Sequence, residues 1–408
     1  MKKRPFMPPS EQANARVFDG TNWYVAANET ENNYSGSALQ SNLVAVVSAN
    51  AVNTGTGYTL GAYYYGEWKT PGRANNLQPW SRLQSKGFTE RKPILGWFSD
   101  DAQYVIDAEI NMAYEFGLDF FAFDWYWTTS NTTFNEHTIA KFMASPNKAK
   151  MKFCLCICNH TDWPNNFDNW QAAVDYWIAN YFSDPQYLQV GGKPMVIIFS
   201  PDDLRLKSAA MGKTSLDMLT EARNRYTATG GSGIHFVGCA QPHMYWVGAG
   251  KYLEANGYNA ITSYNYHYKY DGSIGWNWNG QFYERAKSYA DKDSGHRAAW
   301  DWIINQSGTT IPYYLPITAG WDDRPWWSTP TTDTLGTENS PYWDCSTSAS
   351  DFAEHLSAAK QRMDASPTAT SKIGIVYAWN EYGEGGYMAP TQKYSYDLLA
   401  AAKQTFGK

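Results

Sequence analysis

Short apolar segments alternate with amphipathic segments along most of the chain, from about Leu60 onward. This alternation is typical of βα units, in which each strand of a parallel sheet is followed by a helix. Eight strands are predicted, at residues 59–65, 119–125, 152–159, 194–200, 234–241, 260–266, 313–319 and 373–380. Eight units favour a closed (β/α)8 TIM barrel over an open doubly wound sheet, and no nucleotide-binding glycine motif follows any strand.

The chain has 408 residues, more than the roughly 250 residues of a typical barrel. Residues 1–58 are rich in Asn, Ser, Thr and Gly, with short apolar pieces at residues 22–27 and 42–52. Fewer than about 60 residues make a marginal core, so we interpret this segment as a β extension packed on the main body. The predicted domains are an N-terminal β extension, residues 1–58, and a catalytic barrel, residues 59–408.

Two glutamates, Glu381 and Glu384, follow the last predicted strand. Glycines at 383, 385 and 386 permit a tight turn that brings both carboxylates to one side. Glycosidic bond cleavage needs such a pair, one carboxyl to protonate the leaving oxygen and one to act as base or nucleophile. The alternative is two solvated glutamates in a glycine-rich loop, but acids at the carboxyl end of a barrel strand usually carry chemistry. Glu381 and Glu384 are therefore the predicted catalytic residues.

Polar and aromatic side chains also follow the other predicted strands, whose carboxyl ends converge on one mouth in a barrel. Together they predict a sugar-binding cleft. The predicted substrate-binding residues are Tyr63, Tyr65, Glu67, Trp68, Asp124, Trp125, Trp127, Asn159, His160, Gln241, His243, Tyr264, Tyr266, His267, Asp322, Arg324, Trp326, Trp379, Asn380 and Tyr382. Simpler roles stay open for several of them: Asp124 could cap a loop, Arg324 could pair with Asp322, and the histidines could be scaffold.

Charged residues make up 18% of the chain and aromatic residues 16%, with a formal net charge of -6. An acidic chain argues against nucleic acid or an anionic membrane as the main partner, because both reward basic patches. The sequence contains no run of about 18 apolar residues, so it predicts no membrane span. We expect a monomer that acts on a neutral polysaccharide or oligosaccharide. The low-charge, Asn/Ser/Thr-rich composition favours a secreted, periplasmic or cell-surface location, although the basic start of the chain is followed by prolines rather than an apolar leader.

Three of the five cysteines, Cys154, Cys156 and Cys158, alternate along one predicted strand. Neighbours two apart on an extended strand are poorly placed to form a disulfide, so we interpret them as small buried side chains. No HxH or HExxH spacing links the histidines. The sequence thus predicts no metal and no organic cofactor.

The motif Asn380-Glu381-Tyr382-Gly383-Glu384-Gly385 resembles the end of glycoside hydrolase family 99 and its family 71 and O-antigen-cluster relatives. Weaker similarity, in the same order, covers residues 61–68, 115–127 and 314–326. The resemblance implies a retaining endo-α-mannosidase. In it Glu381 deprotonates a neighbouring sugar hydroxyl to give an epoxide, and Glu384 is the acid/base. Gly383 departs from the histidine that is usual in family 99.

From the residues alone, the same pair could equally be an ordinary nucleophile and acid. Two other classes also remain: a non-hydrolytic carbohydrate-active enzyme, such as a transferase or lyase, and a carbohydrate-binding protein on the same barrel.

Overall fold

The structure is a computed structural model that describes residues 16–18, 23–25, 57–69, 79–240, 249–267, 286–305, 307–326 and 344–408. Its centre is a parallel sheet of eight strands: Thr59–Tyr64 (β1), Phe120–Trp127 (β2), Lys152–Ile157 (β3), Lys193–Ile198 (β4), His235–Cys239 (β5), Ala260–Thr262 (β6), Leu315–Thr318 (β7) and Ile373–Tyr377 (β8).

The strands pair in the order β6-β5-β4-β3-β2-β1-β8-β7. A parallel bridge between Ile261 on β6 and Tyr313, just before β7, joins the two ends of the sheet. The predicted (β/α)8 barrel is confirmed. Nearly every residue of these strands is buried, because helices cover the outer face and side chains fill the inside, and this burial explains why their sequences are continuous apolar runs.

Helices alternate with the strands around the barrel. They are Pro79–Ser85 (α1), Gln103–Glu115 (α2), His137–Ala144 (α3), Phe167–Asn180 (α4), Pro201–Ala210 (α5), Ser215–Ala228 (α6), Ala249–Ala255 (α7), Tyr289–Asn305 (α8), Ala349–Ala365 (α9), Pro367–Thr370 (α10) and Asp397–Phe406 (α11). Single turns of 3-10 helix occupy Thr89–Arg91, Lys148–Lys150 and Arg324–Trp326. The start of α5 carries a usual helix signal, in which the Ser200 side chain accepts a hydrogen bond from the Asp203 amide.

Short antiparallel pairs of strands lie outside the eight-stranded parallel sheet. Two of them follow β7 and β8, where Gly320–Trp321 pairs with Cys345–Ser346 and Asn380–Glu381 pairs with Gly386–Tyr387. The others join Thr133–Phe134 to the end of β2, Gln189–Val190 to the start of β4, and Arg16–Phe18 to Trp23–Val25. The last pair falls partly in the expected strand at residues 22–27, whereas residues 42–52 lie outside the described part of the chain.

The core takes up much of the aromatic excess. Seven tryptophans are almost fully buried among the described residues: Trp68, Trp125, Trp163, Trp170, Trp177, Trp300 and Trp379. All five cysteines are buried and none forms a disulfide, as the spacing predicts. No helix in the described ranges is long and apolar enough to cross a membrane.

Candidate active site

The hairpin after β8 brings the two predicted catalytic glutamates to the mouth of the barrel. The Glu384 amide donates to the Glu381 carbonyl at 3.1 Å, and Gly385 takes the left-handed conformation, with φ of 71°, that closes the turn. Both carboxyl groups then face the same pocket rather than opposite faces of an extended strand.

Asn380 fastens this hairpin to the end of β1. Its side-chain amide donates to the Tyr65 carbonyl and its side-chain oxygen accepts from the Tyr65 amide, both at 2.8 Å. The Trp68 indole also donates to the Asn380 carbonyl at 3.0 Å. Because Asn380 is fully buried and engaged on both sides, it positions Glu381 rather than contacting a ligand.

Gly383, where the family 99 pattern has a histidine, leaves room for an aromatic ring. A Cβ atom at this position would lie 2.2 Å from the ring of Trp326. Any side chain at 383 would therefore displace Trp326, which lines the pocket.

The pocket has a volume of about 420 Å³, within the range of small-molecule sites. Six aromatic rings and four carboxyl groups contribute to its wall, a mixture suited to a sugar ring and its hydroxyls. None of the described residues that line it is a lysine or an arginine. The lining residues are Tyr65, Asp124, Tyr126, Cys158, His160, Phe199, Tyr264, Trp321, Asp323, Trp326, Glu381 and Glu384.

A buried chain of hydrogen bonds joins Asp124, Tyr264 and Glu381. The Tyr264 hydroxyl lies 2.8 Å from Asp124 Oδ2 and 2.8 Å from Glu381 Oε1. A tyrosine hydroxyl has one hydrogen to donate, so the second contact requires a carboxyl O–H that donates to the tyrosine oxygen. The geometry therefore favours one proton held between Asp124 and Glu381.

The electrostatic environment also favours a protonated carboxyl in this pair. Burial raises the pKa of Asp124 to about 8, with the Tyr264 hydrogen bond acting in the opposite direction. Burial, together with the negative charges of Glu384 and Asp124, raises the pKa of Glu381 well above its usual range. Two carboxyl groups that burial pushes toward the neutral form can share one proton at neutral pH.

Glu384 has a separate set of partners. Tyr377 donates a hydrogen bond to its Oε2 at 2.5 Å. Burial raises the pKa of Glu384 to about 7, while the Tyr377 hydrogen bond and the positive charge of Lys292 oppose that rise. Lys292 is itself buried, donates to the Tyr266 carbonyl, and has its pKa lowered to about 7 by burial. A carboxyl with a pKa near neutrality suits a general acid that must also work as a base.

The structure brings seven predicted site residues into the pocket lining: Tyr65, Asp124, His160, Tyr264, Trp326, Glu381 and Glu384. Thirteen others lie outside the lining: Tyr63, Glu67, Trp68, Trp125, Trp127, Asn159, Tyr266, His267, Asp322, Arg324, Trp379, Asn380 and Tyr382. Gln241 and His243 fall outside the described residues.

Most of these thirteen side chains pack or brace the scaffold instead. Trp379 and Tyr382 are buried against Phe121 and Trp80, respectively. The side chain of Asn159 bonds the backbone of Ser200.

The two candidates from the loop after β7, Asp322 and Arg324, form an ion pair. Arg324 Nε donates to Asp322 Oδ1 at 2.6 Å, and Arg91 also bonds the Asp322 carboxylate. The simpler interpretation of Asp322 and Arg324 is therefore the one that fits the structure.

Five lining residues were not among the predicted binding residues. Tyr126 lies near the end of β2 and Asp323 in the loop after β7, whereas Phe199 follows β4 directly and Trp321 comes three residues after β7. The signal that could have found them is position after a strand, irrespective of polarity. Cys158, the fifth, also belongs to a group of possible metal ligands with Asp124 and Cys156, whose ligand atoms all lie within 4.8 Å of one another.

The sequence also matches a known family. The family model described as "Glycosyltransferase WbsX" matches residues 88–402, which is most of the chain. The chain belongs to this WbsX family. A curated relative, the "Uncharacterized protein WxcX" of Xanthomonas campestris pv. campestris, is 26% identical over 121 residues, or 26% of this chain and 17% of the relative. The chain therefore matches less than a fifth of that protein's length.

Solved structures share the fold of this WbsX family member. The GH99 endo-alpha-mannosidase from Bacteroides thetaiotaomicron superposes with a TM-score of 0.53 at 14% identity, over 85% of this chain and 97% of that one. A structure described as "Glycoside hydrolase-like protein" gives a TM-score of 0.59 at 15% identity, over 86% and 94% of the two chains. At such identities the likeness concerns the barrel fold alone.

Proposed function

We propose that this WbsX family member is a retaining glycoside hydrolase that acts on internal bonds of a polysaccharide or glycan. One observation carries the proposal: Glu381 and Glu384 line the same pocket but have different hydroxyl partners, Tyr264 and Tyr377. Two carboxyl groups with separate environments in one site are what glycosidic bond cleavage requires.

Glu384 is the proposed general acid. With a pKa of about 7 it is about half protonated at neutral pH and can give its proton to the glycosidic oxygen as the bond to the anomeric carbon breaks. In the second half of the reaction the resulting carboxylate takes a proton from water, which attacks the anomeric carbon. Glu384 thus returns to its starting protonation state.

Glu381 is the proposed partner on the other side of the anomeric carbon. Either its carboxylate takes the proton of a neighbouring sugar hydroxyl, whose oxygen closes on the anomeric carbon as an epoxide, or the carboxylate itself attacks that carbon. Both routes invert the anomeric carbon twice, because water then opens the epoxide, with Glu381 returning its proton to the sugar oxygen, or displaces Glu381 from the glycosyl ester, and the original configuration is restored. The proton held between Asp124 and Glu381 must lie on Asp124 when Glu381 acts, and Tyr264 connects the two groups for that exchange.

Action on internal bonds is supported by the spread of aromatic side chains. Trp321 and Trp326 come from the loop after β7, whereas Tyr126 and Phe199 follow β2 and β4. Rings on several sides of the glutamates offer stacking surfaces for more than one sugar unit. A single closed subsite would need fewer of them.

The family description names a glycosyltransferase, which makes transfer the second candidate. A transferase that uses a nucleotide sugar binds a diphosphate, for which lysine, arginine or an oxygen-ligated Mg²⁺ is the usual partner. The described lining offers no lysine or arginine, and its carboxyl groups form no cluster of three that could hold such an ion. We therefore favour hydrolysis.

The test is incubation of the full chain with mannans, glucans, sulfated glycans and host glycans, with product analysis by chromatography and mass spectrometry over time. We expect oligosaccharides at early times from one class of polymer, and none from the Glu384→Gln variant. Monosaccharide from the first minutes would contradict internal cleavage. Product formation only when a nucleotide sugar is supplied would instead support transfer.

A further inference from the structure

We propose that Asp124, Cys156 and Cys158 form a binding site for a thiophilic divalent cation such as Zn²⁺ at the floor of the pocket. The inference rests on the side-chain positions and not on the proposed hydrolysis, which a bound ion would inhibit because a metal-bound Asp124 cannot hold the proton that leaves Glu381. It also departs from the expectation that these cysteines only fill space.

The strand register creates the cluster. Asp124 on β2 lies directly beside Cys156 on β3, and Cys158 follows two residues later on the same face. One ligand atom from each residue lies within 4.8 Å of the other two. Ligand atoms of a tetrahedral zinc site lie about 3.5–3.8 Å apart, so small rotamer adjustments in the pocket wall would close the site.

Asp124 offers an oxygen for the metal and a second oxygen already held in place. Oδ2 accepts the hydrogen bond of Tyr264, and the other hydrogen-bonding neighbours of the carboxyl in the described part of the chain are the thiols of Cys156 and Cys158, since no nitrogen or oxygen donor reaches Oδ1. The residue is 5% exposed, so this oxygen has little access to solvent. A metal-bound carboxylate oriented by a neighbouring hydroxyl is the usual arrangement around protein metal ions.

The donor set selects the kind of cation. Two sulfur ligands and one carboxylate favour Zn²⁺ or Cd²⁺ over Mg²⁺ or Ca²⁺, which prefer oxygen ligands. Metal binding requires the thiolate form of both cysteines, so only an ion with high affinity for thiolate displaces the thiol protons. Asp124 and Cys158 also line the pocket, which leaves the fourth coordination position facing the cavity, where water or a sugar hydroxyl would complete it.

Cys154 provides a matched control. It is fully buried on the same strand, two residues before Cys156, but is not part of the cluster. The Cys154→Ser substitution perturbs the same strand without removing a proposed ligand.

The experiment is titration of the chelator-treated full chain with Cd²⁺, monitored by the ultraviolet charge-transfer absorption of cadmium thiolates, followed by competition with Zn²⁺ and with Mg²⁺. We expect saturation at one ion per chain, displacement by Zn²⁺ and none by Mg²⁺. Cys154→Ser should behave like the wild type, whereas Cys156→Ala and Cys158→Ala should each lose most of the absorption.

Two further variants, at Asp124 and Tyr264, test the geometry without removing a sulfur ligand. Asp124→Asn and Tyr264→Phe should each weaken Cd²⁺ binding by about 10- to 100-fold, the first by loss of a ligand and the second by loss of its orientation. Thermal unfolding confirms that every variant used is folded. Absence of the absorption in the wild type, or equal absorption in Cys154→Ser and a folded Cys156→Ala/Cys158→Ala variant, would overturn the proposal.

Discussion

The ends of β2 and β8 look alike in sequence but are used differently. The last residues of β2 combine one acid with aromatic residues, and the segment just after β8 combines two acids with aromatic residues. Along β2 the strand stays extended, so Asp124 and Tyr126 face the pocket while Trp125 and Trp127 face the helices. After β8 the chain turns, and both acids face the pocket.

The difference shows that backbone geometry, rather than residue type, decides which side chains at the strand ends reach the pocket. Alternation sends every second side chain of an extended strand to the opposite face. A glycine turn ends the extended conformation, so this alternation of side chains no longer applies. The indole of Trp125 packs edge-on against Trp177, with ring centroids 5.6 Å apart, although its type alone suggests a sugar platform.

The largest expected effect comes from the β8 end. Glu381→Gln and Glu384→Gln should each lower kcat on the natural glycan by about a thousandfold or more, because an amide cannot exchange protons or attack carbon. The double variant should be little worse than either single one. Glu109→Gln is the control, since Glu109 is a buried glutamate outside the pocket lining. Comparable losses of kcat in all three variants would contradict the claim that the acids after β8 carry the chemistry.

At the β2 end, neighbouring residues should separate stability from binding. Trp125→Ala should lower the free energy of unfolding by about 3–5 kcal/mol, because it empties a fully packed site. Tyr126→Ala should change stability by about 1 kcal/mol or less while raising KM, since its ring lies in the pocket wall. Chemical denaturation and steady-state kinetics measure the two quantities. The assignment of faces fails if Tyr126→Ala unfolds more readily than Trp125→Ala.

Buried carboxyl groups should also differ by location in their response to pH. Burial raises the pKa of Glu109 to about 8, against its usual 4.5. The fold therefore prefers the neutral form, and this contribution to stability is lost as pH rises from about 4.5 through 8. Glu109→Gln, which stays neutral, should gain stability relative to the wild type over that window, on the order of a few kcal/mol. If the free energy of unfolding of the two proteins changes with pH in the same way from pH 5 to 9, the prediction is contradicted.

The smallest expected effect is a shift in the pH profile. Because Glu384 must be protonated to act as the acid and has a pKa of about 7, kcat/KM should fall above neutral pH. The Tyr377 hydrogen bond lowers that pKa, so Tyr377→Phe should move the alkaline limb to higher pH. A limb that moves to lower pH, or not at all, would mean that another group controls it.

The barrel was predictable because its strands are continuous apolar runs, which only a sheet covered on both sides produces. The placement of Glu381 and Glu384, the proposed catalytic pair, at one pocket was predictable because the motif places acids and glycines after the last strand. Side-chain direction was not: Tyr63 follows the same pattern as Tyr65, yet its hydroxyl bonds the Ser263 carbonyl inside the barrel. The fit of Trp326 over Gly383 joins residues far apart in the chain, which no local pattern encodes.

The central claim is that Glu381 and Glu384 have different tasks in one site, and leaving-group dependence tests it most directly. The rates of Glu381→Gln and Glu384→Gln are compared on the natural glycan and on an aryl glycoside of the same sugar, whose leaving group needs little protonation. We predict that the aryl substrate restores much of the rate of Glu384→Gln and little of that of Glu381→Gln, with NMR showing retained configuration in the first product. Equal rescue of both variants, or an inverted first product, would contradict the account.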